Sequence, residues 1–262
     1  MMKEQEIQLV YGSLLGDASM GIHGRCRHPR IAFRHSHKQK ELVMAKYAIL
    51  QARVGTPPRT EVNGGWGGPL LSFRTLSTPS LDEAYAICYP GGKKGISLQW
   101  LEKVSPTGLA WWFMDDGSVG GNYVGCRIAT DSFPRYEQEI LVGWLRDAYG
   151  VHADIHHTRR DLFHLSMNKE AGNRFSQIIA PHILPSMQYK LYKAESRNCP
   201  FCGESFLPND GSSRQWYCRK TKCQIAGRKQ KGKQYYLDNK AHILSRVASY
   251  QSARKAKRKS TI

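Results

Sequence analysis

The sequence predicts an α+β fold built as two pseudo-symmetric halves, each running α-β-β-α-β-β-α, with a small cysteine-bearing module and a basic tail behind them. Three observations lead there. Two apolar helical runs end alike, in an acidic residue, a small residue and Ser: Val10–Ser19 (VYGSLLGDAS) and Leu109–Ser118 (LAWWFMDDGS). The elements after each run recur in the same order. Four of the seven cysteines, with most of the surplus positive charge, collect behind the second half.

Each element has a local reason. The second apolar helix starts at Ser105, an N-cap, with Pro106 at its first position. A strand is expected over residues 30–36 in the first half and 126–132 in the second, where branched and polar residues alternate. Amphipathic helices follow over residues 38–54 and 134–149, each stopped by a glycine, Gly55 or Gly150. Further strands are expected over 70–76, 151–157 and 162–167, and closing helices over 80–87 and 169–179. Glycine and asparagine blur the strand pattern near residues 63–68. Asp17 and Asp116 lie 99 residues apart, so the unit is about 95 residues long. The domain reading is a first half at 1–97, a second at 98–195, a metal module at 196–226 and a basic, partly helical or disordered tail at 227–262.

The chain has 262 residues, 39 Lys+Arg against 21 Asp+Glu, and a net charge of +18. At 40% apolar residues it can bury a real core. No stretch approaches the roughly 18 consecutive apolar residues of a membrane span. The first residues lack the apolar core of an export signal, so the cytosol or an organellar matrix is the expected compartment. The charge is uneven. Residues 1–196 hold 23 basic and 18 acidic side chains, residues 197–262 hold 16 and 3. A polyanionic partner is implied, and the run Arg254–Lys259 reads as a basic tail that adds sequence-blind phosphate affinity.

Cys199 and Cys202, followed by Gly203, have the spacing of a zinc knuckle. Cys218 and Cys223 supply two more thiolates, at a wider spacing than the usual two residues, and His242 is an alternative ligand. Four thiolates make a closed, structural Zn²⁺ site. A module this small needs such a metal to fold. Cys26, Cys88 and Cys126 read as small buried hydrophobes.

Asp17 and Asp116 each sit at the C-terminal end of an apolar helix, where a negative charge opposes the helix dipole by a few tenths to about 1 kcal/mol. Acids kept at both ends point to a task. If the helices pack side by side, with Gly12, Gly16 and Ala110 allowing close approach and Trp111 and Trp112 turned to the sheets, the carboxylates end close together. A divalent cation relieves their repulsion, and oxygen-only ligands favour Mg²⁺.

Leu109–Gly117 resembles the nine-residue LAGLIDADG motif, and Val10–Ala18 resembles it more loosely. The chain is similar, over about residues 5–193, to the two-motif monomeric LAGLIDADG homing endonucleases. The resemblance implies that the motif helices form the interface between the halves and that the strands form a saddle for the DNA major groove. It makes Asp17 and Asp116 the metal-binding acids, with backbone groups at Ala18 and Gly117 as possible further contacts and Asp115 in a supporting or structural place. It also places a lysine at each centre: Lys94 in Lys93-Lys94-Gly95-Ile96 and Lys190 in Met187-Gln188-Tyr189-Lys190-Leu191. Strand parity then leaves Arg30, Arg34, Ser72, Arg74 and Arg127 for DNA, with Arg159 and Arg160 in a turn on the phosphate backbone. His152, His156, His157 and His164 read as groove-facing polar residues rather than a metal cluster. The expected activity is Mg²⁺-dependent, site-specific double-strand cleavage that promotes mobility of the element encoding the chain, intron-borne or free-standing. The alternatives are an intron RNA maturase and a non-cleaving DNA-binding protein on the same scaffold.

Overall fold

Two helices, α1 (Glu4–Leu15) and α5 (Pro106–Asp116), run through the centre of the first unit and are buried on nearly every side. The structure, a computed structural model, describes residues 2–62, 68–119, 125–157, 162–191, 196–206, 208, 215–246 and 250. It divides into two compact units, residues 1–194 and 195–262.

The first unit repeats one topology. After α1 come β1 (Ser19–Gly21), β2 (Arg30–Ser36), α2 (Lys40–Leu50), β3 (Arg59–Val62), β4 (Pro69–Arg74) and α3 (Asp82–Cys88). A short α4 (Leu98–Leu101) leads into α5. Then follow β5 (Gly117–Val119), β6 (Cys126–Ala129), α6 (Arg135–Tyr149), β7 (Asp154–His157), β8 (Phe163–Met167) and α7 (Lys169–Ile179). The two antiparallel sheets have matching orders, β1-β2-β4-β3 and β5-β6-β8-β7. The strands β1 and β5 that start each sheet are three residues long, too short to show period-two alternation. Strand β6 stops at Ala129, earlier than its sequence pattern suggests.

Sequence parity explains which strand faces go inward. Ile31 and Phe33 of β2 and Leu71 and Phe73 of β4 are buried, and Phe33 stacks on its register partner Phe73 with ring centroids 4.8 Å apart. Ile128, Leu165 and Met167 do the same in the second sheet. These side chains close over the core formed by Leu9, Leu14, Leu109, Trp112 and Phe113.

The crossing of α1 and α5 is tighter than ordinary side-chain packing. A Cβ built on Gly12 would lie 2.2 Å from the Gly108 carbonyl oxygen, and one on Gly16 would lie 2.7 Å from the Asp115 Cβ. The partner across from Gly12 is therefore Gly108, where the sequence suggested Ala110. Gln8 locks the other end of the crossing. Its side-chain nitrogen donates to the Lys103 carbonyl (3.0 Å), and its oxygen accepts from Ser105 N–H (2.8 Å), beside the start of α5. Glu6 of α1 accepts from Arg53 Nε at 2.9 Å and from the backbone N–H of Lys3 at 2.6 Å. The Arg53 hydrogen bond holds the Glu6 carboxyl below its ordinary value against the opposing effect of burial.

In the second unit, β9 (Arg197–Asn198) pairs with β10 (Ser205–Phe206), and α8 (Thr221–Asp238) follows. The helix α8 runs through residue 226, where sequence composition placed a boundary, and carries Cys223 inside its first turn.

Two expectations follow. Gly12→Val drives two methyls into the Gly108 backbone, so the melting temperature of the first unit should fall by about 2–12 °C, an overpacking cost of about 1–3 kcal/mol. Glu6→Gln should cost about 2 kcal/mol at neutral pH. Because the native carboxyl is held low, that contribution is complete above the unfolded value of about 4.3 and disappears as the pH falls through the folded value. Denaturant titrations of both forms at pH 7 and pH 3 should therefore show a smaller difference at the acid end.

Candidate active site

The C-terminal ends of α1 and α5 emerge on the same side and bring four acidic or basic groups from distant parts of the chain together. Asp17 follows α1 with its side chain 44% exposed, and Asp116 closes α5 half-buried. Burial, with the charges of Asp17 and Asp115, pushes the Asp116 carboxyl up to about 8, and Lys94 and Lys190 offset only part of this. For Asp17 burial works upward too, but the hydrogen bond from His35 and the charges of Lys46 and Lys190 hold it below the ordinary carboxylate value.

Each helix end has its own lysine. Lys94 Nζ donates to the carbonyls of Leu14 (2.9 Å), Gly16 (3.4 Å) and Ala18 (2.8 Å). Lys190 Nζ donates to those of Met114 (2.7 Å) and Asp115 (3.3 Å). An ammonium on the last carbonyls satisfies orphan acceptors and complements the negative end of the dipole. That offsets the penalty of placing an aspartate there. Desolvation pulls both lysines below their ordinary value, and the neighbouring acids push back. The two lysines singled out by the sequence are therefore at the acids, with Lys94 spending all three protons on backbone oxygens. The Ala18 carbonyl is already an acceptor for Lys94, which reduces its freedom to contact a metal.

Beside Asp17 lie two side chains that the sequence did not single out, His35 and Lys46, joined to Asp115. Asp115, fully buried, receives Lys46 Nζ of α2 at 2.5 Å. The same ammonium is 3.1 Å from His35 Nε2, and His35 Nδ1 is 3.3 Å from Asp17 Oδ2. The signals were present. His35 continues the inward parity of Ile31 and Phe33, and Lys46 falls on the apolar stripe of Val43 and Leu50.

The residues fit a divalent cation. The charge of Asp17 opposes ionisation of Asp116, the donors of both are oxygen only, and Asp17 is open to solvent. Among the described residues two sets of metal-type ligand atoms lie within 4.8 Å of one another: Asp17, His35 and Asp115, which does not include Asp116, and the sulfurs of Cys199, Cys202, Cys218 and Cys223. The Cys202 and Cys218 sulfurs are 3.7 Å apart, close to the separation of about 3.8 Å in a tetrahedron with 2.3 Å metal–sulfur bonds. Gly203 makes the knuckle turn at φ 73°, and its N–H donates to the Cys199 carbonyl at 2.8 Å. Against the upward pull of burial, backbone hydrogen bonds from Cys218, Cys202 and Phe201 bring the Cys199 thiol to about 6. His242, the alternative ligand, is exposed and lies outside this cluster.

On the outer strand faces, Arg30 is half-buried and Arg34, Arg74 and Arg127 are exposed. Ser72 departs from expectation. It is buried, and its hydroxyl donates to Glu61 Oε1 at 2.6 Å, while Glu61 also holds Arg34 at 3.0 Å. Pairing of β3 with β4 brings Glu61 over Ser72, which makes Ser72 a support for Glu61 rather than a free contact. His156 and His164 are cross-strand partners with stacked rings 5.6 Å apart, and His152 stands away on the loop before β7. Arg159 and Arg160 lie outside the described residues.

The chain belongs to the LAGLIDADG DNA endonuclease family, which it matches over residues 7–175. Its fold is that of the homing endonuclease I-WcaI bound to its DNA recognition sequence, with a TM-score of 0.67 at 21% identity over 73% of this chain and 87% of that one. It is 28% identical to the cytochrome b mRNA maturase bI2 of Debaryomyces hansenii, across 72% of this chain and 74% of the maturase. It is 30% identical to the RecA protein of Mycobacterium leprae over 207 residues, 73% of this chain and 28% of that protein. The chain spans about half the length of the first RecA relatives it matches, 47% for those of Mycolicibacterium fallax and Mycobacterium shimoidei.

Protein purified without added zinc should contain about one zinc per chain by elemental analysis. Cys202→Ser should lower that content and loosen residues 195–262 while leaving the melting of the first unit unchanged.

Proposed function

We propose that the chain is a site-specific DNA endonuclease that hydrolyses a phosphodiester in each strand of its target with a divalent cation. The observation that carries this reading is the pair of motif acids, Asp17 and Asp116, set at the ends of two glycine-crossed helices, with the charge of Asp17 raising the Asp116 carboxyl. Family membership and the likeness to a homing endonuclease on DNA support it. The carboxylates of Asp17 and Asp116 would hold the cation. Mg²⁺ there supplies Lewis acidity toward a phosphate oxygen and lowers the pKa of a water.

The chain's own groups do the positioning. Lys94 and Lys190 fix the two helix ends and hold positive charge next to the acids, where a phosphate's developing charge is stabilised. Arg30, Arg34, Arg74 and Arg127 line the outer strand faces for a duplex, with Glu61 ordering Arg34 before it binds. The zinc module and basic tail extend the footprint, and the working species is a monomer.

A second reading, an intron RNA maturase, is favoured by the likeness to the yeast bI2 maturases. The test is cleavage, with Mg²⁺, of a plasmid carrying the uninterrupted sequence that flanks the gene. Asp116→Asn and Asp17→Asn should each reduce cutting by about a thousandfold or more while leaving binding of the same duplex intact. Equal loss of binding and cutting counts against the roles assigned to the acids. Retention of intron RNA with no DNA cleavage makes the maturase reading the better one.

A further inference from the structure

The two motif acids are supported unequally. Asp17 has an imidazole at its carboxylate, and no side-chain hydrogen bond reaches Asp116 among the described residues. We propose that His35 is a positioning residue for Asp17, held by a chain that starts on the buried Asp115 carboxylate and passes through Lys46, so that the two centres differ and the two DNA strands are cut at different rates. The strand consequence rests on the endonuclease reading; the positioning does not.

The direction of every bond in the chain is set by donor capacity. An ammonium has three donors and no lone pair. Lys46, fully buried, therefore donates to Asp115 Oδ1 at 2.5 Å and to His35 Nε2 at 3.1 Å. With Nε2 accepting, the ring proton belongs on Nδ1, a buried atom that lies at an ion-pair distance of 3.3 Å from Asp17 Oδ2 and has no hydrogen bond of full geometry to any described residue. His35 is 1% exposed in its side chain and cannot turn to water. The same ammonium argues against a cation between Asp17, His35 and Asp115, although their ligand atoms lie close enough for one.

Strand register shows that the second half has no counterpart. Ser19 pairs with Ala32 in one half and Ser118 with Arg127 in the other, each Ser two residues beyond its motif acid. His35 thus corresponds to Thr130, a buried neutral residue whose hydroxyl donates to Gln138 Oε1 at 2.8 Å. Asp115 itself corresponds to Gly16, and the missing Gly16 side chain is what admits Asp115 to the first half's pocket.

Two measurements test this. In long-range ¹⁵N–¹H correlation spectra of the metal-free chain, with His35 assigned by loss of its signals in His35→Gln, the ring should be the Nδ1–H tautomer. Lys46→Met should shift it toward Nε2–H. A wild-type Nε2–H or doubly protonated ring, or no response to Lys46→Met, overturns the positioning role. In the cleavage assay with each strand labelled, His35→Leu should slow one strand by about tenfold or more, so that nicked circles accumulate. Duplex affinity should be unchanged and the melting temperature within about 4 °C. His35→Gln, which can accept from Lys46 and donate to Asp17, should restore the wild-type strand ratio. Equal slowing of both strands, or no rescue by Gln, overturns the inequivalence. A wild type that cuts neither strand sinks the endonuclease reading and the strand consequence, while the tautomer still decides the role of His35.

Discussion

Everything in the first unit hangs on a place where two helices touch backbone to backbone. With no side chain at Gly12 or Gly108, α1 and α5 approach closely enough for a carbonyl to occupy the space of a Cβ. That proximity is non-negotiable for the site, because the acids at the helix ends influence each other only if the helices stay together to their last turn. The large residues of the motif, Trp111 and Trp112, are buried and supply apolar area that the glycines forgo.

The helix ends then carry an electrostatic load that ordinary helices avoid. Each terminus has an aspartate where the dipole is already negative, and each is answered by a lysine reaching from a distant segment to the last carbonyls. Asp116 stays reluctant to ionise despite two nearby cations because its burial and the charges of Asp17 and Asp115 outweigh them. A site arranged this way is stable with its acids crowded and still has an unmet demand for positive charge.

The repeated order of elements, the motif acids and the cysteine quartet were legible in the sequence because each is a local pattern, a period, a cap or a spacing, whereas Lys94 and Lys190 came only with the family resemblance. The strand parity of Arg34, Arg74 and Arg127 was legible for the same reason. Gly108 was missed as the crossing residue because nothing within α5 says which of its small residues meets α1. Ser72 was misread because parity gives the face of a strand and not the neighbour that covers it; β3 brings Glu61 over it. Lys46 and His35 gave local hints, a charge on an apolar stripe and an inward histidine, but their partner Asp115 is far along the chain. Contacts between halves are tertiary facts that a single-chain pattern does not encode.

The crossover of Asp115 into the first half's pocket also bears on how such a chain can evolve. A dimer assembled from two first halves would place Gly16 at both positions and leave two buried Lys46 ammoniums without a counter-charge. One assembled from two second halves would bury two Asp115 carboxylates with neither Lys46 nor His35 to receive them. The halves keep a common outline, yet they are no longer interchangeable parts. Recombination that shuffles one of them into a relative must carry the matching residue across or lose the fold's centre.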